Sequence, residues 1–218
     1  MQLVILGAPG AGKGTFSQSI KKYKQFTHIA TGDIFRKHIK DQTDLGKVAS
    51  TYIEKGKLVP NDLTDDLIFS ELNLVKKDFI LDGYPRNLDQ AKKLDEMLRE
   101  LKIPLTACVS LSIEQEVIVD RLRSRVVCSN CAYSYNLKTA PTKTKGICDN
   151  CGGKLVHRKD DSPEIVTHRI QIYERETEPV INYYEEQGKL LEIDCGEIDF
   201  VTQIDEIWSL LLEREVKV

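Results

Sequence analysis

The feature that most limits what this chain can become is a run of nine residues near its start, Gly7-Ala8-Pro9-Gly10-Ala11-Gly12-Lys13-Gly14-Thr15. It follows an apolar run, Leu3-Val4-Ile5-Leu6, and precedes a stretch with Phe16, Ile20 and Tyr23 at helical spacing. A continuous apolar run bounded by glycine reads as a strand buried on both faces. Strand, glycine-rich turn and helix in that order form a phosphate-binding loop. The glycines let successive N–H groups converge as an anion nest, the helix N-terminus adds its positive end, and Lys13 adds a full charge. The strict pattern carries Ser or Thr directly after the lysine. Here Gly14 stands in that place and Thr15 follows, which weakens the case for a hydroxyl binding magnesium directly.

A buried parallel strand needs neighbours on both sides, and the remaining sequence supplies them. Short apolar runs at 2–6, 27–29, 79–82, 106–111 and 190–194 read as strands. Helical patterns alternate with them at 13–23, 34–40, 44–55, 61–74, 88–101, 113–123, 163–186 and 200–214. This alternation predicts an α/β three-layer fold, a five-stranded parallel sheet with helices on both faces. Two segments stand apart. Residues 30–59 form a helical insertion closed by Gly56 and Pro60, and residues 126–161 lose the helical period and read as a small β-rich insertion. The core is then assembled from 1–29, 60–125 and 162–218.

The second insertion holds Cys128-Ser129-Asn130-Cys131 and Cys148-Asp149-Asn150-Cys151. Two Cys-x-x-Cys knuckles at this separation follow a zinc-ribbon pattern, in which four thiolates complete a tetrahedral shell with no open position. A small insertion buries little core, so a structural Zn²⁺ would supply its stability. Iron suits the same sulfur cage. Disulfides or a redox dithiol are the competing readings, and a reducing compartment argues against both. Cys108 and Cys195 lie in or beside apolar strands and read as small core residues. His28, His38, His157 and His168 show no metal spacing and receive no catalytic role.

Charge narrows the function classes. With 31 basic and 34 acidic residues the net charge is -3, so a protein living on non-specific nucleic-acid binding is disfavoured. An ATP-dependent RNA-binding protein using Lys138, Lys143 and Lys145 as a basic patch is disfavoured on the same ground. No stretch approaches the roughly 20 apolar residues of a membrane span, and the apolar run at 2–6 is too short for a signal peptide. The expectation is a soluble, cytoplasmic protein without a membrane partner.

Several further words follow the loop in order: Thr31-Gly32-Asp33, Arg36, Gly56-Lys57-Leu58-Val59, Leu81-Asp82-Gly83-Tyr84-Pro85-Arg86 and Gln90, then Arg158, Asp160-Asp161 and Arg169. With the loop and the cysteine knuckles they resemble the adenylate kinase family in its long-lid, four-cysteine form, from Gly7 to about Gly196. The resemblance implies reversible phosphoryl transfer from Mg²⁺-bound ATP to AMP, with the choice of donor nucleotide left open. It also implies a monomer, without excluding an oligomer.

Under that resemblance Gly10, Ala11, Gly12, Lys13, Gly14 and Thr15 bind the ATP phosphates. Arg125 joins them, with Arg121 a further option and Arg123 facing solvent. Ser134 and Tyr135 cover the ATP, and the backbone at Ile198 reaches its adenine. The AMP site is Thr31, Arg36, Lys57, Leu58, Val59, Gly83, Tyr84, Pro85, Arg86, Gln90, Arg158 and Arg169. Forked guanidinium donors on Arg36 and Arg86 suit a monophosphate, and Gln90 offers the donor and acceptor that an adenine edge needs. Relatives that prefer pyrimidine monophosphates differ at the Thr31 and Gln90 positions. Asp82, at the end of an apolar strand, holds Mg²⁺ through water. Lys13, Arg86, Arg125, Arg158 and Arg169 surround the transferred group.

Overall fold

In the computed structural model, which describes residues 1–75, 77–195 and 202–216, the apolar run after Met1 forms β1 (Gln2–Gly7) at the centre of a sheet. Strand β3 (Phe79–Asp82) pairs with it on one side and β4 (Ala107–Ser112) on the other. Strand β2 (Thr27–Ala30) lies beyond β3, and β8 (Leu190–Asp194) beyond β4. All pairings are parallel, giving the order β2-β3-β1-β4-β8 and the five strands expected.

Side-chain alternation along β1 divides the core into two layers. Leu3 and Ile5 face a cluster with Phe16 and Ile20 of α1 (Lys13–Ile20) and Ile207 and Leu211 of α9 (Ile204–Val216). Val4 and Leu6 face the opposite cluster. It includes Ile68 and Leu72 of α4 (Asn61–Leu74), Leu94 and Leu98 of α5 (Leu88–Glu100), and Val180 and Tyr184 of α8 (Glu178–Glu186). Burying a Leu, Ile or Phe side chain contributes roughly 1.5–3 kcal/mol, so the two clusters account for most of the attraction holding helices to sheet. Among the described residues no helix is long and apolar enough to cross a membrane.

Helices α2 (Thr31–Lys40) and α3 (Asp44–Ile53) form the first insertion around Phe35, Ala49 and Val59. Helix α2 begins at Thr31, three residues before the expected start, which sets Thr31-Gly32-Asp33 in its first turn. Helix α6 (Gln115–Arg123) leads into the second insertion. There β5 (Arg125–Cys128) pairs antiparallel with β6 (Ser134–Asn136) and β7 (Leu155–Val156).

The long helix expected at 163–186 is interrupted. Helix α7 (Pro163–Ile172) passes into a π-helical segment (Tyr173–Thr177) before α8. The cause is Pro179, near the start of α8. A proline inside a helix has no N–H to donate and its ring clashes with the carbonyl four residues earlier. A widened turn ahead of it removes that conflict.

Candidate active site

Three elements bring the phosphate-binding loop and the magnesium-binding candidate together. Gly7, Gly10 and Gly12 have φ of 146°, 89° and 99°, the left-handed side that side chains disfavour, and Gly12 opens directly into α1. The Lys13 ammonium folds across the loop, donating to the carbonyls of Gly7 (2.7 Å) and Ala8 (3.0 Å). Ala11 is buried, whereas Gly14 and Thr15 are exposed on the first turn of α1. Register sets Asp82 level with Ile5 and Ala30, at the C-terminal edge of the sheet beside this loop. Its carboxylate lies 3.4 Å from His28 Nε2. Burial by itself raises the Asp82 pKa. The neighbouring His28 and the charges of Lys13 and Arg86 outweigh that and hold it below the usual carboxylate value. An ionised carboxylate at this edge fits a hydrated Mg²⁺.

Beside the loop the cations converge. Burial lowers the Lys13 pKa to about 8. Asp82 opposes the shift, and the charges of Arg86, Arg169 and Arg125 reinforce it. Burial likewise brings Arg86 down to about 10, with Arg169 and Arg36 adding to the effect. Arg158 is also lowered to about 10, by burial and then by Arg36 and Arg125. Arg169 moves in the same direction for the same first cause. Carboxylates hold this group in place. Arg125 forms a two-pronged pair with Asp161, and Arg169 bonds Asp160 (3.0 Å) and Asp161 (3.2 Å). Arg36 pairs with Asp33 at 2.5 Å, and Arg158 approaches the same carboxylate at 3.6 Å. The buried Arg158 Nε has no hydrogen-bond partner among the described residues.

Next to these cations lies a cleft open to solvent. Thr31, Arg36, Lys57, Leu58, Val59, Gly83, Arg86, Gln90 and Arg169 all line it. Arg86 is fixed by its Nε to the Gly83 carbonyl (2.8 Å). Tyr84 and Pro85 do not line the cleft. Both are buried behind it, and the Tyr84 ring is in the core with its hydroxyl donating to Asp65 at 2.7 Å. Arg158 stands outside the lining, at the root of the second insertion.

The four cysteine sulfurs lie within 4.8 Å of one another, with Cys128–Cys151 at 3.4 Å and Cys131–Cys148 at 3.6 Å. A tetrahedral zinc with Zn–S bonds of about 2.3 Å separates its sulfurs by about 3.8 Å, so the cage fits the ion. All six cysteines are free thiols, and the two disulfides considered from sequence do not form. Backbone N–H groups of Asn130 and Cys131 point at Cys128 Sγ (3.4 and 3.5 Å) and favour its thiolate. Cys108 and Cys195 are buried in the core as expected.

Strand alternation leaves Ser134 exposed and turns Tyr135 inward, its hydroxyl 3.3 Å from Cys148 Sγ and accepting from the Asp149 N–H at 3.0 Å. Ile198 lies outside the described residues. Arg121 donates to the Cys195 carbonyl (2.9 Å), and Arg123 is exposed. Lys138 is paired with Asp120 at the lid base.

Two contacts escaped the sequence reading. His28 carries no spacing signal, because its partner Asp82 is reached only through strand register. Thr177 is buried and donates to the Arg86 carbonyl at 2.8 Å. Pro179 could have signalled the widened turn that presents it, but nothing in the sequence names Arg86 as the partner.

Comparison with known proteins agrees with this arrangement. A family model described as Adenylate kinase matches residues 5–189. An adenylate kinase of Caldanaerobacter subterraneus subsp. tengcongensis is 44% identical over 211 residues, covering 96% of this chain and 93% of that one. One from Acetivibrio thermocellus is 46% identical over 195 residues, covering 88% and 90%. One from Thermosipho melanesiensis is 42% identical over 213 residues, covering 97% and 99%.

Proposed function

The chain belongs to the adenylate kinase family, and from that premise we propose how its residues divide the reversible transfer of a phosphoryl group from ATP to AMP, giving two ADP. One observation carries the assignment: Lys13, Arg36, Arg86, Arg125, Arg158 and Arg169 gather between a phosphate-binding loop and an open cleft lined by Arg36, Arg86, Gln90 and Arg169. Crowded cations depress one another's pKa values, and phosphates are the anions that relieve the crowding. The unpartnered Arg158 Nε supports the same reading.

ATP lies along Gly10, Ala11, Gly12, Lys13, Gly14 and Thr15, with Arg125 at its phosphates and Ser134 over it from the lid. AMP occupies the cleft, its phosphate clamped by Arg36 and Arg86 and its base read by Gln90. Thr31, Lys57, Leu58, Val59 and Gly83 wall that pocket, and Tyr84 and Pro85 support it from behind. An oxygen of the AMP phosphate attacks the γ-phosphorus in line while the bond to the ADP oxygen breaks, so no side chain need act as nucleophile. Lys13, Arg86, Arg125, Arg158 and Arg169 hold the reacting oxygens in line and stabilise the charge developing on them. Asp82 would hold a hydrated Mg²⁺ beside the loop, and the ion would supply charge neutralisation for the ATP phosphates. Cys128, Cys131, Cys148 and Cys151 would hold a structural zinc, which would keep the lid folded without entering the chemistry.

Residues 30–59 and 126–161 act as two flaps on the core. Cross-pairs between them, Arg158–Asp33 at 3.6 Å and Arg36–Asp160 at 3.9 Å, support concerted closure over both nucleotides. Closure excludes water, which would otherwise accept the phosphoryl group. The enzyme works as a cytoplasmic monomer and needs no nucleic acid or membrane.

The test is a phosphotransfer assay with ATP or GTP against AMP, GMP, CMP and UMP. ADP formation fastest with ATP and AMP is expected. Faster turnover with any other acceptor, or ATP hydrolysis without transfer, would overturn the reading.

A further inference from the structure

Gln90 is buried, and the two ends of its amide have the same shape, so packing alone does not decide which end faces the base. Hydrogen-bond polarity does, and here it can be traced to two backbone groups. The Gln90 N–H donates to Asn87 Oδ1 (2.9 Å), where Asn87 caps α5. That fixes the Asn87 amide and turns its Nδ2 toward Asn61 Oδ1 at 3.0 Å, with the reciprocal Asn61 Nδ2–Asn87 Oδ1 contact at 3.5 Å. Asn61 Oδ1 then accepts a second bond, from Gln90 Nε2 at 3.0 Å. At the other end of the same amide, the Arg86 N–H donates to Gln90 Oε1 at 2.8 Å. Both ends agree.

We infer that Asn61 and Asn87 are specificity-determining positioning residues that lock the Gln90 amide in one orientation and thereby select a 6-aminopurine monophosphate over a 6-oxopurine one. The inference rests on the reading of Gln90 as the base contact. A primary amide has two donor hydrogens and two acceptor lone pairs. One of each is used internally, which leaves one donor and one acceptor for the cleft. Adenine matches with acceptor N1 and its 6-amino donor. Hypoxanthine presents the reverse, an N1–H donor and a 6-oxo acceptor. Matching it requires Gln90 to flip. A flip would set Nε2 against the Arg86 N–H and Oε1 against Asn61 Oδ1, two like-with-like contacts at a buried site.

The experiment compares kcat/KM for AMP and for inosine monophosphate, with Mg-ATP as donor, in wild type, Asn61→Leu, Asn61→Asp and Asn87→Asp. Leucine is close to asparagine in shape and removes the acceptor, so the AMP preference falls by at least about tenfold, through gain on the inosine nucleotide. Asn61→Asp keeps the acceptor and keeps the preference. Asn87→Asp preserves the cap, since Asp and Asn serve equally there. It offers Asn61 only an acceptor, however, and so turns the relay around and weakens the preference even if Asn61→Leu fails to fold. An unchanged substrate ratio in the folded variants, or a parallel loss on both substrates, would overturn the relay. Gln90→Leu separates the two levels: an unchanged AMP preference there would sink the underlying reading of Gln90 itself.

Discussion

Arg86 is restrained at three points: its N–H by Gln90, its carbonyl by Thr177 and its Nε by the Gly83 carbonyl. Among the described residues no carboxylate pairs with its terminal guanidinium nitrogens. Lys13→Ala or Arg86→Ala is expected to slow steady-state turnover by at least about a hundredfold, roughly 2.7 kcal/mol of transition-state stabilisation. Near-normal turnover in either purified variant would contradict the assignment. Thr177→Val keeps the side-chain shape and leaves the buried Arg86 carbonyl without this donor. The expected cost is about 1–3 kcal/mol in a denaturant titration, with KM for AMP rising more than KM for ATP. Thr177→Ser should restore both, and equal shifts in the two KM values would show Thr177 to be structural only. Lys13, Arg86 and the four lid cysteines were legible in sequence because each sits in a local motif. Thr177 and His28 were not, since their partners are 91 and 54 residues away along the chain and meet them only after folding.

Among the elements, the lid depends most on something other than packing. Its buried cluster is only Val126, Cys128, Tyr135 and Cys148, with Leu155 against it, and two of those four buried residues belong to the four-cysteine cage. So small a core cannot offset the entropy of ordering the segment. Removing the metal with a strong chelator is expected to increase amide hydrogen exchange across residues 126–161 while the strands of the parallel sheet stay protected. Simultaneous loss of protection in β1 and β4 would show that lid and core unfold as one. The π-helical segment belongs to this scale as well. A helical pattern over 163–186 is visible in sequence, but the proline's effect reaches back to the preceding turn and sets the phase between Arg169 and Thr177.

At the scale of the whole molecule, carboxylates tie distant parts of the chain together. Asp78 joins the start of β3 to the N-terminus and Lys24, Glu215 of α9 meets the same two groups, and Asp160 meets Arg169 and Arg36. For Asp78, Asp160 and Glu215, as for Asp82, burial raises the pKa and the surrounding cations and hydrogen bonds overcome it, so all four are held below their usual values. A carboxylate lowered on folding contributes stability above its unfolded pKa and loses it as pH falls through the folded one. Thermal stability followed by circular dichroism should therefore fall steadily once pH drops below about 4.5, near the ordinary carboxylate range. A molecule equally stable at pH 3 and pH 6 would show these pairs to be inconsequential. By itself the sequence determined the order of strands and helices, the phosphate-binding loop and the cysteine knuckles, because periodicity, glycine conformational freedom and ligand spacing act over a few residues. Tertiary structure alone decided which carboxylate holds which arginine, why Tyr135 faces the cysteines and how Gln90 is oriented. Those outcomes depend on register and burial, which bring together groups that the chain itself keeps far apart.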